Sequence, residues 1–313
     1  MEDISMSLLT ARMRKTKGTR IRRSKADLVY DTFVFVIMVS LMIIIMYPLY
    51  FILIASISDP MLVAAGRVWL YPQGVTFTAY ERIFADARIW NAYRNTLLYT
   101  SLGTTINVVL TICAGYALSR KDLRGRKFFL MMFAFTMFFS GGMIPTYMVV
   151  FNLGLVNTIW AMVIPNAVSI WNLLITRAFF QSTIPEELLD AAMIDGCGNL
   201  RFFALIILPL SKAIIAVMAL FYAISHWNAF FNALIYLFDS DLFPLQLVLR
   251  SILIQNEMQT DMMVDVTDLM ERQNLAELLK YGIIVVASVP ALVIYPFAQK
   301  YFVTGIMIGS VKG

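Results

Sequence analysis

Apolar runs of about 20 residues recur along this chain, and they constrain its fold more than any other feature of the sequence. A helix of that length crosses the ~30 Å hydrocarbon core of a bilayer. The composition agrees, because 60% of the residues are hydrophobic and 14% are charged, whereas soluble domains are roughly 45–50% apolar and about 25% charged. The sequence therefore predicts an all-α integral membrane protein and disfavours a soluble helical bundle, whose core helices rarely run this long without polar interruption.

The apolar runs predict six transmembrane helices in one membrane domain, 30–313, preceded by a basic tail, 1–29. The predicted spans are 33–57, 96–118, a third that begins at 128 and breaks at 140–142, then 159–180, one within 211–238, and 281–302. Broken backbone at membrane depth is tolerated only against protein or water. Gly141 and Gly142, with Pro145 just beyond, are therefore candidates for a kink beside a translocation pathway, with ordinary helix packing as the alternative.

The distribution of lysine and arginine predicts the orientation. Most of the 25 basic residues fall in the tail, in the turn 120–127 and in other segments that six spans place on the same side as both termini. Because cytoplasmic loops carry the excess of Lys and Arg, we expect cytoplasmic termini. The first apolar run is too long for a signal peptide. The net charge of +5 needs no nucleic acid to explain it.

Residues 182–209, which we call the motif loop, carry most of the charge between the fourth and fifth spans. The spacing of Thr183 and Glu186 predicts a capping box, with Pro185 in the first helical turn. Gly196 and Gly198 are predicted to end this helix, and a second helix follows from Asn199. The first helix is acidic, which favours a protein partner over lipid headgroups, since helices that lie on lipid favour Lys and Arg.

The motif loop resembles the pattern E-A-A-x3-G-x9-I-x-L-P of permease subunits from binding-protein-dependent ABC importers. The matching residues are Asp190, Ala191, Ala192, Gly196, Ile206, Leu208 and Pro209, with Asp190 in place of the first Glu. The segments WNAFFNALIYL (227–237) and QKYFVTGIMIGSVKG (299–313) are similar to the second permease of maltose-type and oligosaccharide-type systems. The resemblance covers about residues 28–313.

The resemblance implies the six-helix fold of a type I ABC importer permease, with a five-helix core at about 95–303 and the motif loop as its cytoplasmic coupling helix. It implies a bacterial inner-membrane complex with a second permease, two ATPase subunits and an extracytoplasmic solute-binding protein that delivers sugar. It also implies, less strongly, that residues 311–313 contact the ATPase subunits. The residues expected to dock on the ATPases are Glu186, Glu187, Asp190, Ala191, Ala192, Asp195 and Gly196.

ATP chemistry is expected on the partner subunits, since the chain has no G-x-x-x-x-G-K-[ST] run that could cradle phosphates. We expect no catalytic residue, no metal site and no cofactor in this chain, with ATP and Mg bound by the ATPases. Trp227, Asn228 and Asn232 are candidate pathway residues, because sugars bind aromatic faces and amides. Hydrogen bonding between spans is the favoured alternative for them, and His226 is expected to be structural.

Three alternatives remain open at this point. A permease for another solute, such as a peptide, an anion or a polyamine, would share the same motif. A secondary transporter would place ionisable residues within its spans and show repeat symmetry, and a membrane enzyme would need clustered His, Cys or carboxylates.

The acidic stretch 239–280 is either a contact for the binding protein or a solvated helical loop. We expect an oligosaccharide as the transported solute, and an acidic oligosaccharide of plant or algal origin is one candidate.

Overall fold

The computed structural model describes residues 24–261, 279–290 and 292–293, and these residues form helices and no strand. The helices are α1 (Lys25–Ser56), α2 (Pro60–Ala64), α3 (Thr78–Ala85), α4 (Ala87–Ser119), α5 (Arg126–Phe138), α6 (Met143–Asn152), α7 (Trp160–Val163), α8 (Ile170–Thr183), α9 (Glu186–Ile194), α10 (Asn199–Phe202), α11 (Leu208–Leu210), α12 (Lys212–Trp227), α13 (Phe231–Tyr236), α14 (Leu245–Asp261) and α15 (Leu279–Pro290). A π-helical turn, Phe203–Ile207, joins α10 to α11. The chain divides into two units, 1–51 and 52–313.

Each predicted span overlaps one or more of these helices. Within the described residues, α1 and α4 are long and apolar enough to cross a membrane, and up to four crossings result if two bent helix pairs each count as one. The pairs are α5 with α6, bent by 117°, and 199–210 with α12, bent by 79°. The last predicted span begins at α15, and its part beyond residue 293, like most of the tail 1–29 and all of 299–313, lies outside the described residues. The all-α membrane class is confirmed.

Two predicted spans are interrupted. The third breaks where predicted, between α5 and α6, and Gly142 there adopts φ 91°, which a residue with a Cβ rarely adopts. The fourth is divided into α7 and α8 by the segment 164–169, which contains Pro165. Proline has no N–H and its ring clashes with the preceding turn. Ser169 then begins α8, accepting a hydrogen bond from the Asn172 backbone N–H at 3.5 Å.

Helix α4 is the centre of the second unit, with α8, α12 and α14 packed against it. Two glycines allow the closest approaches. A Cβ on Gly103 would lie 2.4 Å from the ring of His226 in α12, and a Cβ on Gly115 would lie 2.7 Å from Thr176 in α8. Small residues at helix interfaces let backbones approach closely in membrane proteins. These contacts fix how α4 sits against both neighbours.

The acidic stretch 239–280 begins with a segment that is held firmly to α4. Asn95 Nδ2 donates to the Asp241 carbonyl at 2.6 Å, and Tyr99 Oη donates to the Leu242 carbonyl at 2.7 Å. The start of α14 is buried in the same core. A solvated loop therefore does not describe 242–249, and residues 262–278 lie outside the described part of the chain.

Candidate functional site

The first helix of the motif loop, α9, begins two residues later than the capping box would require. Thr183 is the last residue of α8, and Pro185, in an extended conformation, is the N-cap of α9. The predicted capping box is therefore wrong. Proline disfavours a helical conformation for the residue before it, so the chain straightens at Ile184, and Thr183 ends one helix instead of starting the next.

The turn between the two short helices depends on Gly196. Its φ is 72°, and its N–H donates to the Met193 carbonyl at 3.0 Å, while the N–H of Cys197 donates to the Ala192 carbonyl at 2.9 Å. This pair of bonds is a Schellman motif, which satisfies the last carbonyls of a helix. Gly198 has φ −71° and is the N-cap of α10. The predicted left-handed turn is confirmed at Gly196, and the prediction that Gly198 also ends α9 is wrong.

One face of the motif loop is buried in the core that α4, α8 and α12 form. Ala192, Phe202 and Ile207 are 6%, 1% and 0% exposed, and they pack in one cluster with residues of α4, α8 and α12. The sequence predicted that the small Ala192 side chain admits another surface. The surface it contacts is this chain's own core, formed by α4, α8 and α12.

The opposite face of the loop is exposed. It presents most of the predicted docking residues, namely Glu186, Glu187, Asp190, Ala191, Asp195 and Gly196. It also presents Ile194 and Leu200, each 86% exposed, which the sequence reasoning missed. The sequence could have revealed them as apolar residues on either side of Gly196 and Gly198, within an otherwise charged stretch. Exposed apolar groups beside acidic ones are typical of a protein interface.

The basic turn between α4 and α5 lies beside α9, and the two border a cavity of about 450 Å³. Lys121 Nζ lies 2.7 Å from Glu186 Oε1, and Arg120 Nη1 donates to Asn199 Oδ1 at 3.3 Å. Arg120 also pairs with Asp122 at 2.5 Å. The hydrogen bond from Arg120 lowers the pKa of Asp122, and the same bond raises the pKa of Arg120. Part of the acidic charge of α9 is thus paired within the chain.

Two of the predicted pathway residues meet at a second cavity, of about 680 Å³. Trp227 is buried, and its Nε1 donates to the Ala287 carbonyl at 3.3 Å. Asn228 is exposed, and its Nδ2 donates to the Ile224 carbonyl at 2.9 Å. Both residues line the cavity, while Asn232, in α13, and the exposed pair 141–142 do not.

His226 is buried, as expected of a structural group. Its Nε2 lies 3.0 Å from the side-chain amide of Asn107, and the residue is 7% exposed. The described residues contain no cluster of His, Cys, Asp and Glu that could hold a metal ion.

Comparisons with known proteins agree with the motif. No family model matches the chain. Protein LplC of Bacillus subtilis (strain 168) is 38% identical over 94% of this chain and 98% of that protein. The polygalacturonan/rhamnogalacturonan transport system permease protein YtcP, from the same strain, is 38% identical over 91% of this chain and 98% of its own length. The chain belongs to the permease subunits of carbohydrate ABC importers.

The fold of this permease has a solved counterpart. A chain from the crystal structure of a bacterial ABC transporter involved in the import of the acidic polysaccharide alginate matches it with a TM-score of 0.81. The two are 32% identical, and the match covers 90% of this permease and 99% of that chain. The predicted type I importer permease fold and the carbohydrate class are therefore confirmed, and the chain belongs to the ABC importers rather than to the secondary transporters.

Proposed function

We propose that this permease forms, with a second permease subunit, the translocation pathway of an ATP-driven importer, and that the motif loop couples the pathway to two ATPase subunits. The single observation that carries the coupling role is the two-sided build of α9. One face exposes carboxylates and apolar side chains. The other face is buried, through Ala192, in the core of α4, α8 and α12.

A ligand shifts a conformational equilibrium only by binding the two states differently. In this proposal ATP closes the ATPase subunits, these subunits displace α9, and the buried contacts of Ala192, Phe202 and Ile207 carry the displacement into the spans. The permease itself is non-catalytic, and ATP and Mg bind to the partners. The docking surface comprises Glu187, Asp190, Ala191 and Asp195 together with Ile194 and Leu200, while Glu186 is already paired with Lys121.

The remaining assignments follow from this arrangement. The motif loop and both termini face the cytoplasm, in a bacterial inner membrane, and an extracytoplasmic binding protein delivers the solute on the other side. We propose an oligosaccharide as the solute. The names of two similar proteins favour an acidic one, since YtcP is named for polygalacturonan and rhamnogalacturonan, and the solved transporter is involved in the import of alginate, an acidic polysaccharide. An importer for a neutral oligosaccharide is the second candidate.

The coupling role is tested by reversing one exposed charge. Asp190→Lys should leave the permease inserted and paired with its second permease, but should weaken recovery of the ATPases by about tenfold or more, as expected when one member of a charge pair at an interface is reversed. Glu81→Lys, on the exposed face of α3, is the matched control and should keep the ATPases bound. Normal ATPase recovery and normal uptake with Asp190→Lys would show that α9 is not the docking element.

A further inference from the structure

We propose that the 680 Å³ cavity bordered by α4, α12, α14 and α15 is a saccharide site, and that Arg250 recognises the carboxylate of an acidic sugar bound there. This inference rests on the proposed importer function and adds the residue that selects for charge. The volume lies within the range of small-molecule sites, about 300–1,000 Å³. It therefore admits a short oligosaccharide.

The cavity carries one sign of charge. Among the described residues that line it, Arg250 is the one charged side chain, and none is a carboxylate. The walls are otherwise mostly apolar, with Leu220, Leu249 and Ile283 among them. No carboxylate among the described lining residues competes for Arg250, so an anionic group that enters the cavity meets an opposite charge. The charge therefore favours a carboxylate over a neutral group.

Arg250 is held in a defined position. Its Cζ lies 4.9 Å from the centre of the Phe230 ring, which is a cation–π contact. A planar guanidinium matches a carboxylate with two parallel hydrogen bonds, which a lysine cannot reproduce. Arg250 is exposed on α14 and is one of the residues that line the cavity.

The other lining groups are of the kinds that bind sugar rings. Trp227 and Phe230 supply aromatic surface, and Trp227 is fixed by its bond to Ala287 and by the Tyr93 ring at 6.4 Å. Thr100, Asn228, Gln246 and Ser288 also line the cavity, and their side chains carry the hydroxyl and amide groups that form hydrogen bonds with sugar hydroxyls.

The test uses the complete importer, with its second permease, ATPases and binding protein, reconstituted in proteoliposomes. The probe is trigalacturonate, and initial uptake rates give KM and the maximal rate. Arg250→Gln should raise the KM by about tenfold or more, the scale set by one charge-assisted, bidentate contact. Arg250→Lys, which keeps the charge and loses the planar fork, should give an intermediate KM.

Arg82→Gln is the matched control, because Arg82 is also exposed and does not line this cavity. Its KM should equal that of the wild type. The proposal is overturned if Arg250→Gln and Arg82→Gln give the same KM. It is also overturned if Arg250→Gln releases the second permease, which would mean that the cavity holds a helix of that subunit. Uptake of maltotriose without trigalacturonate would overturn the acidic site but leave the importer function standing, whereas uptake of no saccharide would refute the importer function itself.

Discussion

Replacing Gly103 with alanine should destabilise the permease by forcing α4 away from α12. An ideal Cβ at position 103 would lie 2.4 Å from Nε2, 2.5 Å from Cε1 and 2.8 Å from Cδ2 of His226. The ring has little freedom to retreat, because His226 is buried and its Nε2 lies 3.0 Å from the Asn107 amide, one turn further along α4. The clash must therefore be relieved by moving a helix or by breaking that hydrogen bond.

The size of the effect follows from two opposing contributions. Overpacking a well-packed core costs about 1–3 kcal/mol, and the upper end applies here because three atoms of a rigid ring lie under 3 Å. Replacing glycine with alanine inside a helix recovers up to about 1 kcal/mol. We therefore expect Gly103→Ala to lower the free energy of unfolding by about 1–2 kcal/mol.

A double-mutant cycle with His226→Ala tests the cause. His226→Ala alone should cost about 2–5 kcal/mol, as large-to-small core substitutions do. With the ring removed, the alanine at 103 meets open space, so the double variant should be more stable than the sum of the single costs by about 1–3 kcal/mol. The assay is denaturant unfolding of the purified permease in detergent.

The control for this cycle is Gly141→Ala, whose Cβ would meet only Pro145, at an ordinary 3.7 Å. It should change the free energy of unfolding by less than about 0.5 kcal/mol. Strictly additive effects of Gly103→Ala and His226→Ala on the free energy of unfolding would refute the reasoning from close contact. A Gly103→Ala permease as stable as the Gly141→Ala permease would refute it as well.

Two further predictions concern the motif loop and the basic turn. At Gly196 an added Cβ meets nothing within 4 Å, so Gly196→Ala should cost only the left-handed backbone, about 1–2 kcal/mol, and should weaken sugar-stimulated ATPase activity. Gly198→Ala, equally open and at negative φ, should match the wild type in both measurements; equal losses at both glycines would contradict the turn argument. Arg120 lowers the pKa of Asp122, so their pair stabilises the fold above the unfolded pKa of about 3.9 and loses that stability as the pH falls through the lowered folded value. Asp122→Asn should therefore flatten the acid side of a stability-versus-pH curve, by less than about 1 kcal/mol since its side chain is 65% exposed, and an unchanged curve would show that the pair contributes nothing.

Local patterns in the sequence predicted the features that depend on neighbouring residues. The apolar runs gave the membrane class, since a helix satisfies its own backbone within one segment. The break at Gly142 and the left-handed turn at Gly196 were predicted because few residues other than glycine adopt such backbone conformations at low cost. The capping box failed even though its spacing was present, because α8 continues through Thr183 before the proline takes effect.

The tertiary structure alone decided which residues meet. Ala192 belongs to the loop motif, yet it faces the chain's own core, and only the packing of α9 against α8 and α12 shows this. His226 and Asn107 are 119 positions apart, and Arg250 in α14 meets Phe230, which lies between α12 and α13. The period of a helix specifies which side chains share a face, but the partner of that face depends on the crossing of helices distant in sequence. The sequence by itself therefore determined the class, the family motif and the turns, whereas the packing of α4, α12 and α14 determined the buried histidine and the charged cavity.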